Sequence, residues 1–305
     1  MTQFEVPIAF LVFNRPDTTA RVFEEIRRIK PLKLLVVADG PRADRPGEAE
    51  KCAAVRSIVE QVDWPCEVLK NYAGTNMGCK RRVSSGLDWV FELEEEAIIL
   101  EDDCMPHPTF FSFCKDLLEK YREDERVAMI SGDNFQFGHR RTLYSYYFSR
   151  YPHIWGWASW RRAWRLYDVK MSLWPEIMTD GWLQDIFPRK KIAHFWKDNF
   201  SCTYDGKIDT WDHQLTFAIA VNGGLCIVPD RNLVSNIGFG VDATHTKQGS
   251  RFAEVPVETM KFPLCHPPFL IRDVTADERT ENEQYSTPSL LIKILRKLRS
   301  LLNAL

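Results

Sequence analysis

The sequence predicts an α/β protein with a mostly parallel central sheet flanked by helices, and three observations carry that expectation. Apolar runs alternate with segments of helical period through the first hundred residues. The chain, 305 residues with 45% apolar content, is long enough to bury a large core in one big domain or two modest ones. The fourth apolar run then ends abruptly in three consecutive carboxylates, Glu101, Asp102 and Asp103. Ligand sites of open α/β sheets lie just beyond strand carboxyl ends, so acids placed there point to function.

The elements follow in order. Ile8 to Phe13 reads as a strand, Pro16 to Ile29 as a helix, Leu34 to Ala38 as a strand ending at Asp39-Gly40, and Ala49 to Val62 as a helix. Cys66 to Leu69 is a third strand, Gly78 to Phe91 a third helix, and Ala97 to Leu100 the strand that carries the acids. Strands joined through helices lie parallel with right-handed crossovers. Beyond the acids, Thr109 to Tyr121 reads as a helix behind Pro106 and Pro108, and Val127 to Ser131 as a strand. An aromatic block from Tyr144 to Trp164 holds Trp155, Trp157, Trp160 and Trp164. Two helix patterns broken near Pro188 follow, then a run opening at Lys207 and reaching Ala220, then a late strand at Leu225 to Val228. Without repeats or low-complexity tracts, the body to about Pro268 reads as one continuous domain, 1–268. Residues 269–305 comprise an acidic stretch, Asp273 to Glu283, expected to be a mobile linker, and a basic amphipathic segment, Ser289 to Leu305.

Composition narrows the function classes. Lys plus Arg (40) nearly balance Asp plus Glu (42), so a formal charge of -2 exerts no global pull on nucleic acid, which is not expected as a partner. Ten Trp and nineteen Phe supply core filling and platforms for sugar rings. Eight scattered cysteines without a C-x-x-C pair favour a reducing compartment and packed thiols. Met1 to Pro7 is polar and Ile8 to Phe13 is too short for a signal or a membrane span, so a cytoplasmic protein is expected. Ser289 to Leu305 places six Leu or Ile residues at helical spacing among Lys293, Arg296, Lys297 and Arg299. Such a helix suits the anionic inner face of a membrane, or a docking face on this domain or a dimer partner.

Three adjacent anions at the edge of a low-dielectric core repel one another, and a hard divalent cation with oxygen ligands is the usual remedy. Mg²⁺ or Mn²⁺ carrying a diphosphate fits; a solvated loop or helix start is the competing explanation. Asp212 opens an apolar helix pattern, where it could take a proton from a hydroxyl or simply cap the helix. His213 is the competing base. His245 follows the turn Gly238-Phe239-Gly240 and is a candidate metal or phosphate contact, or an exposed loop residue. Asp39 is placed for a base or ribose, or for a tight Asp-Gly turn, and Asn76 for a nucleotide or an N-cap. No G-x-G-x-x-G or G-x-x-x-x-G-K follows the first strand, which argues against a dinucleotide fold and a P-loop.

In order along the chain, Phe13-Asn14-Arg15-Pro16, Ala38-Asp39-Gly40, Asn76-x-Gly78, Glu101-Asp102-Asp103-Cys104 and Pro108-x-Phe110-Phe111 resemble a glycosyltransferase of the GT-A fold. Gly156-Trp157, Trp211-Asp212, Pro229 through Asn236, and Gly238-Phe239-Gly240 with His245 extend the likeness. The similarity covers about residues 5 to 250 and is to the group around N-acetylglucosaminyltransferase I and its bacterial relatives. It implies a nucleotide-sugar half, 1–105, and an acceptor half, 106–268. It implies that Asn14, Arg15, Asp39, Asn76, Glu101 and Asp102 contact the donor nucleotide sugar, UDP-linked by analogy, and that Asp103 ligates the metal. Asp212 matches the base that deprotonates the acceptor hydroxyl for an inverting displacement. The eukaryotic relatives carry an N-terminal membrane anchor, which is not expected here. The expected acceptor is a cell-surface glycan or its lipid-linked precursor. The alternatives are a sugar-phosphate nucleotidyltransferase, disfavoured because no glycine-rich loop follows the first strand, and a non-catalytic carbohydrate-binding protein, for which the acids would have no use.

Overall fold

A computed structural model describes residues 3–140, 142–239 and 251–285. His245 and the segment Ser289 to Leu305 lie outside the described residues. In chain order the elements are β1 (Ile8–Val12), α1 (Pro16–Ile29), β2 (Lys33–Ala38), α2 (Glu48–Val59), β3 (Glu67–Tyr72), α3 (Cys79–Leu93), β4 (Glu96–Glu101) and β5 (Cys104–Pro106). Next come α4 (Pro108–Lys120), β6 (Val127–Ser131), β7 (Tyr146–Ser149), β8 (Trp157–Trp160), α5 (Arg161–Trp164), α6 (Trp174–Thr179) and α7 (Leu183–Ile186). The last are α8 (Lys190–Tyr204), α9 (Asp212–Val221), β9 (Leu225–Pro229), β10 (Val234–Asn236), α10 (Val274–Thr280) and a π-helical turn, Glu281–Tyr285.

The central sheet has eight strands in the order β3-β2-β1-β4-β8-β6-β9-β7. The first four are mutually parallel and β6 is parallel to β9, while β8 and β7 run against their neighbours. The protein is therefore mixed α/β with a mostly parallel sheet flanked by helices, as its sequence pattern predicts. Successive side chains alternate across a strand. Ile8, Phe10, Leu34, Val36, Ile98 and Leu100 accordingly face one core with Phe23 of α1 and Phe110 of α4. Ala9, Leu11, Leu35, Val37, Ala97 and Ile99 face a second core with Leu87 of α3 and Leu215 of α9. Burial on both faces is why these strands read as unbroken apolar runs.

Two features depart from the sequence reading. The aromatic block contains β7 and β8, and β8 inserts antiparallel between β4 and β6, with Trp157 and Trp160 almost fully buried. The acidic stretch after Pro268 is helical and docked rather than mobile. Asp277 accepts a hydrogen bond from Ser149 at 2.6 Å and lies near Arg150 and Arg272, while Glu281 pairs with Arg189 at 2.7 Å and accepts from the Tyr151 hydroxyl. Each acid meets a donor distant in sequence, so composition alone misjudged the segment. All eight cysteines are free thiols; Cys52, Cys104, Cys114 and Cys226 are buried and Cys265 is exposed. Among the described residues no helix is long and apolar enough to cross a membrane.

Candidate active site at the carboxyl edge of the sheet

A cleft of about 480 Å³ opens where β1, β2 and β4 end, walled by the start of α3, the start of α9 and the loop before β8. Glu101 is the last residue of β4, and Asp102 and Asp103 follow in the turn to β5. Asp102 is buried at 7% exposure and its Oδ2 accepts the Phe13 backbone N–H at 3.0 Å. Asp103 Oδ2 meets Arg15 Nη1 at 2.6 Å, and the same nitrogen lies 3.9 Å from Asp102 Oδ1. The short β5–β10 ladder sets Asn236 opposite Cys104, and the Ile237 N–H donates to the Asp103 carbonyl at 2.8 Å. The chain then passes so close over the acids that a Cβ at Gly238 would collide with the Asp103 carboxylate and Arg15.

Burial, first of all, raises the pKa of Glu101; repulsion from Asp103, Asp102 and Asp212 adds to it. Burial and Asp103 likewise raise Asp102, against the pull of Arg15 and the Phe13 N–H. Excess negative charge and an all-oxygen donor set suit a hard divalent cation. Among the described residues no three His, Cys, Asp or Glu side chains converge on a single metal-sized point. That geometry still fits Mg²⁺ or Mn²⁺, which such sites hold through one or two carboxylates with substrate phosphates and water supplying the remainder.

At the β2 side Asp39 is 5% exposed. Its Oδ1 accepts the N–H groups of Gly40 (2.8 Å) and Met77 (2.9 Å), and its Oδ2 accepts Asn76 Nδ2 at 3.0 Å. Burial pushes its pKa up while the Met77 and Gly40 N–H groups pull it down. Asp39 thus both braces its turn and lines the cleft. Asn76 is no N-cap, since Gly78 precedes α3; its amide holds Asp39 and the Gly40 carbonyl. Asn14 turns away from the cleft to donate to Glu48 at 2.9 Å. Arg82 was not anticipated. Buried at 6% exposure on α3, it lines the cleft and donates to the Asn71 carbonyl and side chain at 3.0 and 2.9 Å.

Asp212 is the first residue of α9 and lines the opposite wall. No side chain caps α9; instead the Thr210 hydroxyl donates to Asp212 Oδ1. Trp211 stacks on Trp157 with ring centroids 5.8 Å apart, and its carbonyl accepts the Tyr167 hydroxyl at 3.3 Å. Asp209 reaches across to α3 and accepts the N–H groups of Cys79 (3.1 Å) and Lys80 (3.2 Å). The clue in the sequence was a helix starting at Gly78-Cys79 with no Ser, Thr, Asp or Asn at the cap, which left its first donors to a distant partner. His213 instead lies within 2.8 Å of Thr203 Oγ1 through Nδ1 and packs edge-on against Trp196. Trp155 is the one tryptophan of its block on the cleft wall, held edge-to-face by Phe135 and Phe239.

No protein-family model matches the chain, and no curated protein matches it by sequence. Solved structures with some likeness include the mannosyltransferase PcManGT from Pyrobaculum calidifontis in complex with GDP-Man and Mn²⁺. It is 10% identical, with 73% of this chain and 70% of that chain covered, at a TM-score of 0.39. A UDP-glucose pyrophosphorylase complexed with UDP-glucose is 11% identical, covering 73% of this chain and 90% of that one, at 0.34. The 4-diphosphocytidyl-2C-methyl-D-erythritol synthase from Anaerococcus prevotii is 10% identical, covering 62% and 86%, at 0.32. Likenesses this distant assign neither activity nor substrate to the chain.

Proposed function

We propose that the protein is a metal-dependent inverting glycosyltransferase that moves a sugar from a nucleotide diphosphate sugar to a glycan or lipid-linked glycan. The observation that carries this reading is the shared cleft: the acids at the end of β4 and Asp212 at the start of α9 line one cavity of about 480 Å³. Asp103 would hold Mn²⁺ or Mg²⁺, which when bound offsets the charge building on the departing diphosphate. Arg15, already against Asp103, adds a cation at the same end. Asp39 and Arg82 take the nucleoside side, and Glu101 and Asp102 the nucleotide sugar.

The base chemistry falls to Asp212. Its Oδ1 is engaged by Thr210, which leaves Oδ2 to accept the acceptor hydroxyl proton. The freed oxygen forms its bond to the anomeric carbon as the bond to the diphosphate breaks on the opposite face, and one such displacement inverts the centre. Trp155 offers a flat apolar wall for the acceptor sugar. Ser289 to Leu305 would bring the enzyme to an anionic membrane bearing the acceptor.

The test is a thermal-shift and calorimetric screen of UDP, GDP and their sugars with and without Mn²⁺, followed by donor hydrolysis. Ligand linkage raises the melting temperature only for what the native state binds. Metal-dependent nucleotide binding and hydrolysis are expected; a protein indifferent to all of them is not this enzyme.

A further inference from the structure

Glu48 is a buried carboxylate that no step above employs, 5% exposed at the start of α2. It turns back to the loop after β2, where it accepts the Arg42 backbone N–H at 2.7 Å and Arg42 Nε at 3.0 Å, with Nη2 closer still. Asn14, from the turn after β1, donates to the same carboxylate at 2.9 Å. The Arg42 guanidinium, first among these partners, holds Glu48 down to about 2. Three elements therefore meet on one carboxylate whose two-point grip fixes the plane of a single guanidinium.

That guanidinium lies over the Phe13 ring, 5.5 Å from its centroid. Both residues line the cleft, and 43% of the Arg42 side chain stays exposed there. Phe13 follows β1 and Arg42 follows β2, so the pair stands on the Asp39 side of the acids that end β4. The ends of β4 and β2 flank β1 at two strand spacings, about 10 Å. A ribose and a diphosphate bridge about that distance, so a diphosphate at the acids carries its base to the Arg42 side.

We infer that Arg42 and Phe13 form the stacking surface for the donor's nucleobase, with Glu48 and Asn14 as positioning residues that hold the guanidinium flat. This rests on the nucleotide-sugar reading of the cleft. Guanidinium and aromatic faces stack on every base, so the surface supplies affinity for the nucleoside with little choice among bases.

Calorimetric titration of the full chain with UDP, GDP and inorganic pyrophosphate, each with Mg²⁺, tests this. Removing both charges together, as Arg42→Ala/Glu48→Gln, avoids stranding a buried carboxylate. The double variant is expected to weaken nucleotide binding about tenfold or more, the scale of losing one base-stacking partner. Its pyrophosphate affinity should stay within about twofold. Arg42→Lys keeps the charge without the plane and should bind nucleotides as weakly as the double variant. Wild-type nucleotide affinity in either variant, or an equal loss for pyrophosphate, overturns the stacking surface while the donor site stands. A wild-type protein that binds none of the three probes overturns the donor site and the stacking surface together.

Discussion

Arg15 and Asp103, 88 residues apart in the chain, meet at 2.6 Å on the floor of the cleft. The same guanidinium lies 3.9 Å from Asp102, so two neighbouring carboxylates share one cation. Asp103→Asn removes a charged oxygen donor and the partner of Arg15. The Mn²⁺-dependent affinity for a nucleoside diphosphate is expected to fall by about tenfold or more, as when a metal site loses its support. Calorimetry with UDP and Mn²⁺ reads this directly, and unchanged affinity removes Asp103 from the metal site.

Asp212→Asn should retain donor affinity and lose turnover by about 10²-fold or more, the usual cost of deleting a general base. His213→Asn should turn over like the parent, because that imidazole is held by Thr203 and Trp196 away from the cleft lining. Steady-state kinetics on both variants separates the two candidates; the reverse pattern would make His213 the base.

Asp209 ties the turn that carries Asp212 to the start of α3. Asp209→Ala leaves two helix N–H groups without their acceptor and is expected to cost about 1 kcal/mol in urea denaturation. Turnover should fall more than donor affinity, since the base turn loses one of its anchors. A variant with full stability and full turnover would show that the contact does neither.

Asp277 gives a pH dependence with a definite sign. Burial lifts its pKa from 3.8 to about 7, with Ser149 and Arg150 opposing the shift. The folded protein then holds a proton that the unfolded chain releases above 3.8, so this contribution to stability is complete at low pH and is lost as pH rises toward about 7. Between pH 5 and pH 8 the parent should lose more stability than Asp277→Asn. Denaturation curves for both proteins at the two pH values check it; parallel losses would clear Asp277 of the effect.

Deleting residues 289–305 should abolish binding to anionic vesicles, because four cations and the apolar stripe leave together. Donor hydrolysis should survive the deletion. Co-sedimentation of the truncated protein with vesicles would exclude this segment as the anchor.

The alternation from β1 to β4 was legible because each element announces itself over a few neighbouring residues. Even there, β3 runs on to Tyr72, past the expected Leu69, since an edge strand tolerates an exposed Lys70 and a half-buried Asn71. The strands β7 and β8 were illegible: aromatic residues fill helices and strands alike, and the partners of β8 lie in β4 and β6. The three-residue strands β5 and β10 exist only through each other.

The sequence by itself determined the α/β pattern, the acids that follow β4 and the carboxylate that opens α9, because periodicity and strand-end placement are local properties of the chain. Tertiary structure alone decided which groups meet: Arg15 on Asp103, Asn76 on Asp39, Asn14 and Arg42 on Glu48, and Asp209 on α3. Those partners come together because buried charges and unpaired N–H groups must find complements wherever the packed sheet and helices bring them, a constraint of closure in space that no window of neighbouring residues contains.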